Sequence, residues 1–453
     1  MKPIRAGLLS TVKVLLLCLP GFVLPSNASA ELVELETDTE FASVYLLETP
    51  ESPVIRVSLT VLAGEVDVAE ITDATAAEGL SHYLEHLMFW HADNVDDLDS
   101  EEIHARDGNA FVNGILTGYF NEGERSELPA MFEFVARLFT PPTLKSDFML
   151  RERSVVAREY DLRVSENPNW RIYTDVRRDL YNDLPVSRSV IGTLETINAL
   201  TTAQAMRFHA RFYHPANSVL YITGDFGKKE AESLINERFS DLESGSRHSA
   251  SWRNGDISLP SDTTEEYTDS QVNYERLIYL TLSEWKDEKL SLEDWYTLKL
   301  LQASLDSALD GGIARPLRMD NFVLRSFSFN LSSYLNGFVE MTMYAEPDKG
   351  VSLEQASLAI GNTLTEIAAT GIPEATLERV RQRMLQTESR HANNVWETYS
   401  QLVDKLNAGL EPVTTELHLN YIKNVTIDDV NDLLVNLATP KRRSVAFIKP
   451  TGE

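Results

Sequence analysis

Apolar and polar positions repeat in the same order in two parts of the chain. Residues 57–62 predict a buried strand, and an apolar helical run begins near residue 80. Residues 277–282 again predict a strand, and residues 292–309 again predict a helix. This repetition indicates an internal duplication. The mixture of strands and helices in each half predicts an α+β fold, with a sheet backed by helices.

A polar stretch separates the two halves. The first half closes with a predicted strand at 219–223 and a predicted helix at 228–239. The following residues are polar and contain serine and glycine up to about residue 271, which is typical of a linker. We therefore expect a first domain at 31–240, a linker at 241–271 and a second domain at 272–453.

The amino terminus has the pattern of a cleaved secretory signal. A basic start is followed by an apolar core at 14–24, which is short for a membrane span, and by the small-residue site Ala28-Ser29-Ala30. Residues 1–30 are predicted to be removed, and an uncleaved anchor is the alternative. Cys18, the sole cysteine, lies in this core, so the mature chain would have no disulfide. We expect a periplasmic protein, with secretion also possible.

The charge of the chain is strongly acidic. Its formal net charge is −28, and the loss of residues 1–30, which hold three basic residues and no acid, leaves −31. Such a chain should repel nucleic acids and anionic membranes and favour basic peptides. A generally acidic surface for solubility or a saline habitat explains the charge equally well. The acidic run at 93–102 is either a wall of the cleft or a solvated loop.

Three residues within one turn and a half of the predicted helix near residue 80 carry the strongest chemical signal. His82 and His86 are four residues apart and so lie on one helix face, where both imidazoles can reach one metal ion. Glu85 projects from the same side and can act as a base towards water. Apolar residues surround this polar group, and buried polar groups need partners or a metal. The alternative is a helix with two hydrogen-bonded histidines.

A zinc site needs a third protein ligand and an open position for water. The best source is the predicted helix around 150–162, where Glu152 and Glu159 are seven residues apart and share a face. One carboxylate could bind the metal while the other orients a ligand. The spacing does not distinguish them, and both could instead pair with the neighbouring arginines on a solvated helix.

Together these segments resemble the M16 (pitrilysin, insulinase and mitochondrial processing peptidase) zinc metallopeptidases. Residues 79–89 match G-x-x-H-x-L-E-H-x-x-F, the inverted form of the H-E-x-x-H signature, and residues 152–159 match E-R-x-x-V-x-x-E. Segment 107–111 lies between these two motifs and segments 190–193 and 212–225 come after them, in the order that the family shows, although the glycine at 108 is displaced.

The resemblance implies a role for each residue. It makes His82, His86 and Glu159 the ligands of Zn2+ and Glu85 the general base. It makes Glu152 a carboxylate that hydrogen-bonds to a metal ligand and orients it, a role we also assign to Glu78.

The resemblance also implies a substrate-binding strand and a fold. Asn109, Ala110 and Phe111 would form an edge strand along which an extended peptide is laid, and an ordinary edge strand is the alternative. The implied fold consists of two duplicated M16-type domains, each a mostly antiparallel sheet backed by helices. The chain would then form half of a clamshell.

The second half departs from the family pattern. Its equivalent helix, at 296–305, has no metal-binding residues, so this half is expected to be structural or substrate-holding. Residues 315–327 lack the glycine and tyrosine of an R-x-x-x-G-L-x-Y-like stretch that holds substrate in the family, although Arg315 or Arg318 could keep part of that role. We expect a heterodimer with a related subunit that supplies the missing pair, or a homodimer.

The sequence thus predicts a zinc-dependent endopeptidase that hydrolyses peptides or unfolded polypeptides. A non-catalytic M16-like assembly or binding subunit is the alternative, but such a chain usually loses the H-x-x-E-H residues, which are intact here. A zinc-binding module of another class does not account for the downstream segments. No nucleic acid partner is expected, and no integral membrane segment after signal cleavage.

Overall fold

Two mixed sheets, each covered by helices on both faces, make up the protein. The computed structural model describes residues 32–50, 52–73, 76–92, 107–248, 253, 259–285, 289–391 and 394–451. The predicted signal at 1–30, Cys18 within it and the acidic run at 93–102 lie outside these ranges. In the described part of the chain, no helix combines the length and apolarity needed to cross a bilayer.

The first sheet has six strands in the order β1-β2-β6-β3-β5-β4. All neighbours are antiparallel except β2 and β6. The strands are β1 Leu32–Glu34, β2 Ser43–Glu48, β3 Ile55–Val61, β4 Asp107–Val112, β5 Thr117–Gly123 and β6 Ser218–Gly224. The helices are α1 Leu80–Ala92, α2 Leu128–Arg137, α3 Ser146–Tyr160, α4 Pro168–Leu180, α5 Leu194–Ala199, α6 Thr202–Phe212 and α7 Lys228–Phe239.

The second sheet repeats this arrangement with five strands in the order β7-β11-β8-β10-β9. Here β7 and β11 form the parallel pair, as β2 and β6 do in the first sheet. The strands are β7 Thr263–Asp269, β8 Arg276–Glu284, β9 Leu324–Ser332, β10 Phe338–Pro347 and β11 Arg442–Pro450. The helices are α8 Leu292–Leu305, α9 Leu353–Thr370, α10 Glu374–His391, α11 Val395–Asn407, α12 Thr415–Asn424 and α13 Ile427–Ala438.

Each half lends one helix to the other half's sheet. Helix α4, from the first half, packs on the second sheet, where Ile172, Val176 and Leu180 join a buried cluster with Ile278 and Leu280. Helix α11, from the second half, packs on the first sheet, with Tyr399, Leu402 and Leu406 against strands β2 and β6. The remaining large helices cover the opposite face of their own sheet. Because of this exchange, neither sheet can bury both faces without the other half.

The expected fold class is confirmed: two duplicated α+β units, each a mostly antiparallel sheet backed by helices. The structure differs from the predicted elements in two places. Helix α8 ends at Leu305 rather than at 309, because the chain turns back and the Ile313 N–H donates to the Leu305 carbonyl. Strand β7 lies inside the range expected to be a linker, and it pairs with β11. The domain boundaries themselves stay predictions.

Candidate metal centre

Helix α1 presents the three residues of the H-x-x-E-H motif, and two buried contacts fix where this helix begins. The Glu65 carboxylate accepts hydrogen bonds from the Gly79 and Ser81 N–H groups and so caps the first turn. Gly79 (φ +92°) packs against Gly192 (φ +78°), and a Cβ on Gly192 would lie 2.3 Å from the Glu78 carbonyl oxygen. A side chain at either glycine would push the 189–193 segment away from the start of the helix.

Helix α3 places two carboxylates, those of Glu152 and Glu159, beside the imidazoles of α1. Glu159 Oε2 lies 3.5 Å from His82 Nε2 and 3.4 Å from His86 Nε2. Glu152 Oε2 lies 3.2 Å from the other ring nitrogen of His86, Nδ1. The two glutamates therefore sit on different sides of His86. Glu85 Oε2 is 3.9 Å from His82 Nε2, and Glu85 itself is buried.

These distances fit a zinc ion. Two ligand atoms on a tetrahedral zinc, each about 2.0–2.1 Å from the metal, are about 3.3 Å apart. The separations of Glu159 Oε2 from the two Nε2 atoms are close to this value and longer than a good hydrogen bond. Distance alone leaves Glu85 as a possible ligand, since His82, Glu85 and His86 have ligand atoms within 4.8 Å of one another. Glu159, however, is nearer and approaches both imidazoles.

The charges around the imidazoles also favour a cation. Burial, and after it the neighbouring charge of His86, lower the pKa of His82 to about 4. Burial also opposes the charge on His86, but hydrogen bonds to Glu152 and Glu159 raise its pKa to about 10. When Glu85, Glu152 and Glu159 are all ionised, their three negative charges exceed the two positive charges of the His86 imidazolium and the Arg163 guanidinium. Burial raises the pKa of Glu85 to about 7, and a bound dication would favour its ionised form.

A second group of possible ligands, Asp67, Glu70 and His248, is explained by hydrogen bonding. His248 Nε2 lies 2.8 Å from Asp67 Oδ1, which is a hydrogen-bond distance and is shorter than the separations at His82 and His86. Arg211 lies 3.4 Å from Glu70 and reduces the local negative charge. The pair therefore holds residue 248 against the first half without a metal. Among the described residues, these are the two clusters of potential metal ligands, and neither lies in the second sheet or its helices.

The remaining predicted residues occupy two other places. Glu78 pairs with Arg178 and accepts a hydrogen bond from the Ser189 N–H, so these contacts hold the 187–192 segment rather than an imidazole. Asn109, Ala110 and Phe111 lie on β4, the edge strand of the first sheet. Their register partners on β5 are Phe120, Tyr119 and Gly118. The other side of β4 has no neighbouring strand among the described residues.

Two charged residues near the candidate metal centre were not identified from the sequence. Arg163 Nη2 lies 2.7 Å from Glu159 Oε1, and Glu65 caps α1. The four-residue spacing from Glu159 was a signal for Arg163. No local pattern could have connected Glu65 with Gly79, because the loop between them sets that contact.

Comparison with known protein families decides the relationship. The family model described as Insulinase (Peptidase family M16) matches residues 43–194, and the one described as Peptidase M16 inactive domain matches residues 199–384. The chain belongs to peptidase family M16. The first match contains the H-x-x-E-H helix and both glutamates of α3, and the second contains most of the second half. The expected family is therefore confirmed.

M16 relatives match the chain over most of its length. An uncharacterized zinc protease of Mycobacterium leprae is 28% identical over 399 residues, which is 85% of each chain. Among solved structures, a protease from Helicobacter pylori superimposes with a TM-score of 0.75 at 17% identity, over 93% of this chain and all of the other. The periplasmic protease PqqL from Escherichia coli gives 0.71 at 16% identity, over 94% of this chain but 48% of its own. The structural matches concern the fold alone.

Proposed function

We propose that this M16 chain is a zinc-dependent endopeptidase acting on peptides or unfolded polypeptides, with the metal held by His82, His86 and Glu159. The observation that carries the proposal is the position of Glu159 Oε2, 3.4–3.5 Å from both Nε2 atoms. Three protein ligands leave a fourth position for water, as catalytic zinc sites require. Relatives that bear the name zinc protease support the same class of activity.

Each protein group has a separate task in the proposed reaction. A bound zinc supplies Lewis acidity towards the scissile carbonyl and lowers the pKa of water. Glu85 takes the proton from that water and then delivers it to the nitrogen of the leaving amine. Glu152 accepts a hydrogen bond from His86 Nδ1, which leaves Nε2 available as the ligand atom and fixes the ring.

Strand β4 is the proposed place for the substrate backbone. An extended peptide can add to the free side of this edge strand through main-chain hydrogen bonds. Helix α1 packs beside β4, so a peptide added there would pass near His82 and His86. Main-chain pairing is tolerant of sequence, which suits a peptidase for unfolded chains. Asn109, Ala110 and Phe111 would therefore contribute more to position than to side-chain specificity.

Removal of the metal should abolish peptide cleavage reversibly. We expect a chelator such as 1,10-phenanthroline to reduce cleavage of an unfolded basic polypeptide to background, and one equivalent of Zn2+ per chain to restore it. Circular dichroism should stay unchanged, because the two sheets and their cores do not depend on the ion. Activity that survives complete metal removal would refute the proposal.

A non-catalytic assembly subunit is the second candidate, and the intact motif residues argue against it. Such a subunit has no need of a buried carboxylate beside two imidazoles, whereas Glu85 keeps that position. Chelation and peptide cleavage distinguish the two functions. A binding subunit would retain its partner after chelation and would cleave no peptide in any assembly.

We further propose that full activity requires a second M16-like subunit. In the 315–327 stretch, Arg315 is already engaged with Asp310 and Asp320. Met319 is 52% exposed and Phe322 62% exposed in the same stretch, which leaves an apolar surface for a partner. The chain also spans only about half of PqqL. Full peptidase activity from the purified chain as a monomer or homodimer would contradict a heterodimer.

The place of action is proposed from the amino-terminal pattern and one relative. PqqL is described as periplasmic, and residues 1–30 have the features of a cleaved signal. We expect the mature protein to begin at Glu31 in the periplasm. Amino-terminal sequencing of the protein from a cell-envelope fraction checks this, and a retained residue 1–30 segment would indicate an anchor instead.

A further inference from the structure

The two oxygens of Glu159 have different partners. Oε2 faces His82 and His86, whereas Oε1 lies 2.7 Å from the Arg163 guanidinium. A carboxylate can bind a metal through both of its oxygens, but here one oxygen already accepts a charge-assisted hydrogen bond from arginine. From this division we propose that Arg163 is a positioning residue that holds Glu159 as a one-oxygen ligand of the metal. The inference rests on the proposed zinc site.

The backbone that carries Arg163 is irregular. Helix α3 ends at Tyr160, and Asp161–Ser165 follow as a π-helical turn, an irregularity that often occurs at functional sites. Arg171 fixes the turn by donating to the carbonyls of Val164 and Ser165. The other terminal nitrogen of the same guanidinium, Nη2, pairs with Asp269 on β7. The turn is therefore anchored to the second half, and the direction of Arg163 does not depend on α3 alone.

The positive charge of Arg163 affects several ionisable groups of the candidate metal centre. Its side chain is 72% exposed, so the guanidinium lies at the solvent side of Glu159. Its positive charge is among the influences that lower the pKa values of His82, Glu85 and Glu159, although burial or hydrogen bonding is the largest influence on each. In the described part of the chain, Arg163 is the arginine that forms an ion pair with Glu159.

Two opposing effects of Arg163 on zinc affinity can be compared. Its charge repels a dication, but this repulsion is weakened by solvent because the side chain is mostly exposed. The charge-assisted hydrogen bond orders Glu159 before the metal arrives, and partners of this kind typically change metal affinity by about 10–100-fold. We expect ordering to dominate. A second consequence is that Glu159 leaves one metal position open for water, which a two-oxygen carboxylate would occupy.

Zinc binding measured by competition with a chromogenic chelator tests this role independently of catalysis. We expect Arg163→Ala to weaken zinc binding about tenfold and Arg163→Lys to recover most of the loss, because an ammonium can still contact Oε1. The matched control is Arg151→Ala, which removes the same charge from an exposed position on α3, about three turns before Arg163. This control should bind zinc like the parent.

The absorption spectrum of the cobalt(II)-loaded protein provides the second measurement. Four-coordinate cobalt(II) absorbs more strongly than five-coordinate cobalt(II), so the Arg163→Ala spectrum should weaken if Glu159 then binds through both oxygens. The inference would be overturned if Arg163→Ala had the same zinc affinity and spectrum as the parent. It would also be overturned if Arg151→Ala lost as much zinc affinity as Arg163→Ala. A parent that binds zinc but cleaves no peptide would instead defeat the proposed function and leave the role of Arg163 standing.

Discussion

Replacement of Glu85 by glutamine is expected to lower kcat for peptide cleavage by about 10²–10⁴-fold, the usual contribution of a general base. Glutamine has nearly the same shape as glutamate but cannot accept the proton from water. The proposed ligands His82, His86 and Glu159 are unchanged, so we expect one zinc per chain to remain. The measurement is steady-state cleavage of an unfolded polypeptide together with the zinc content of the same sample.

The control for this change is Glu416→Gln, which makes the same substitution at an exposed position on α12. It should keep both zinc and activity. Loss of zinc from Glu85→Gln would make Glu85 a ligand rather than a base. Parent-like turnover with zinc bound would refute its role in proton transfer.

Removal of the Glu340 carboxylate should destabilise the whole chain by about 3–5 kcal/mol, because it leaves a buried cation without its partner. Arg177 on α4 lies 3.1 Å from Glu340 on β10, and Glu340 is 2% exposed. Tyr181 and Thr342 also donate hydrogen bonds to this carboxylate. The pair joins the first half's helix to the second half's sheet. Urea unfolding of Glu340→Ala measures the loss.

Two further variants separate the ion pair from general effects of substitution. Glu340→Gln keeps hydrogen-bonding capacity and should lose less stability than the alanine variant. Glu230→Ala breaks the exposed pair with Arg125 inside the first half and should cost below about 1 kcal/mol. We also expect a single unfolding transition, since α4 and α11 cross between the halves. This description of the core would be contradicted if Glu340→Ala were as stable as the parent, or if the two halves unfolded in separate transitions.

Much of the fold was predictable because it depends on local periodicity. The apolar spacing around His82 predicted α1, and residues 228–239 coincide with α7 as found. The repeated strand-then-helix order indicated the duplication that the matching sheet orders now display. Strand β7 was missed because its residues, TTEEYTD, are mostly polar and exposed. Its place is set by pairing with β11, far away in the sequence.

The candidate metal centre was predictable in composition but not in arrangement. Seven-residue spacing puts Glu152 and Glu159 on one face of α3, and only the angle between α3 and α1 decides which carboxylate meets the Nε2 atoms. Family resemblance favours Glu159, and its Oε2 lies 3.4–3.5 Å from both Nε2 atoms. The sequence assigns Glu78 a role in supporting the ligands, and in the structure its carboxylate contacts Arg178 and the Ser189 N–H. Such long-range partners leave no pattern in a single sequence.

Anomalous X-ray scattering at the zinc absorption edge, from crystals of the zinc-loaded protein, tests the zinc site most directly. A single strong peak is predicted about 2.0–2.2 Å from His82 Nε2, His86 Nε2 and one oxygen of Glu159. A main peak beside Asp67 and His248, or a zinc bound by the two histidines with the Glu159 side chain turned away, would contradict it.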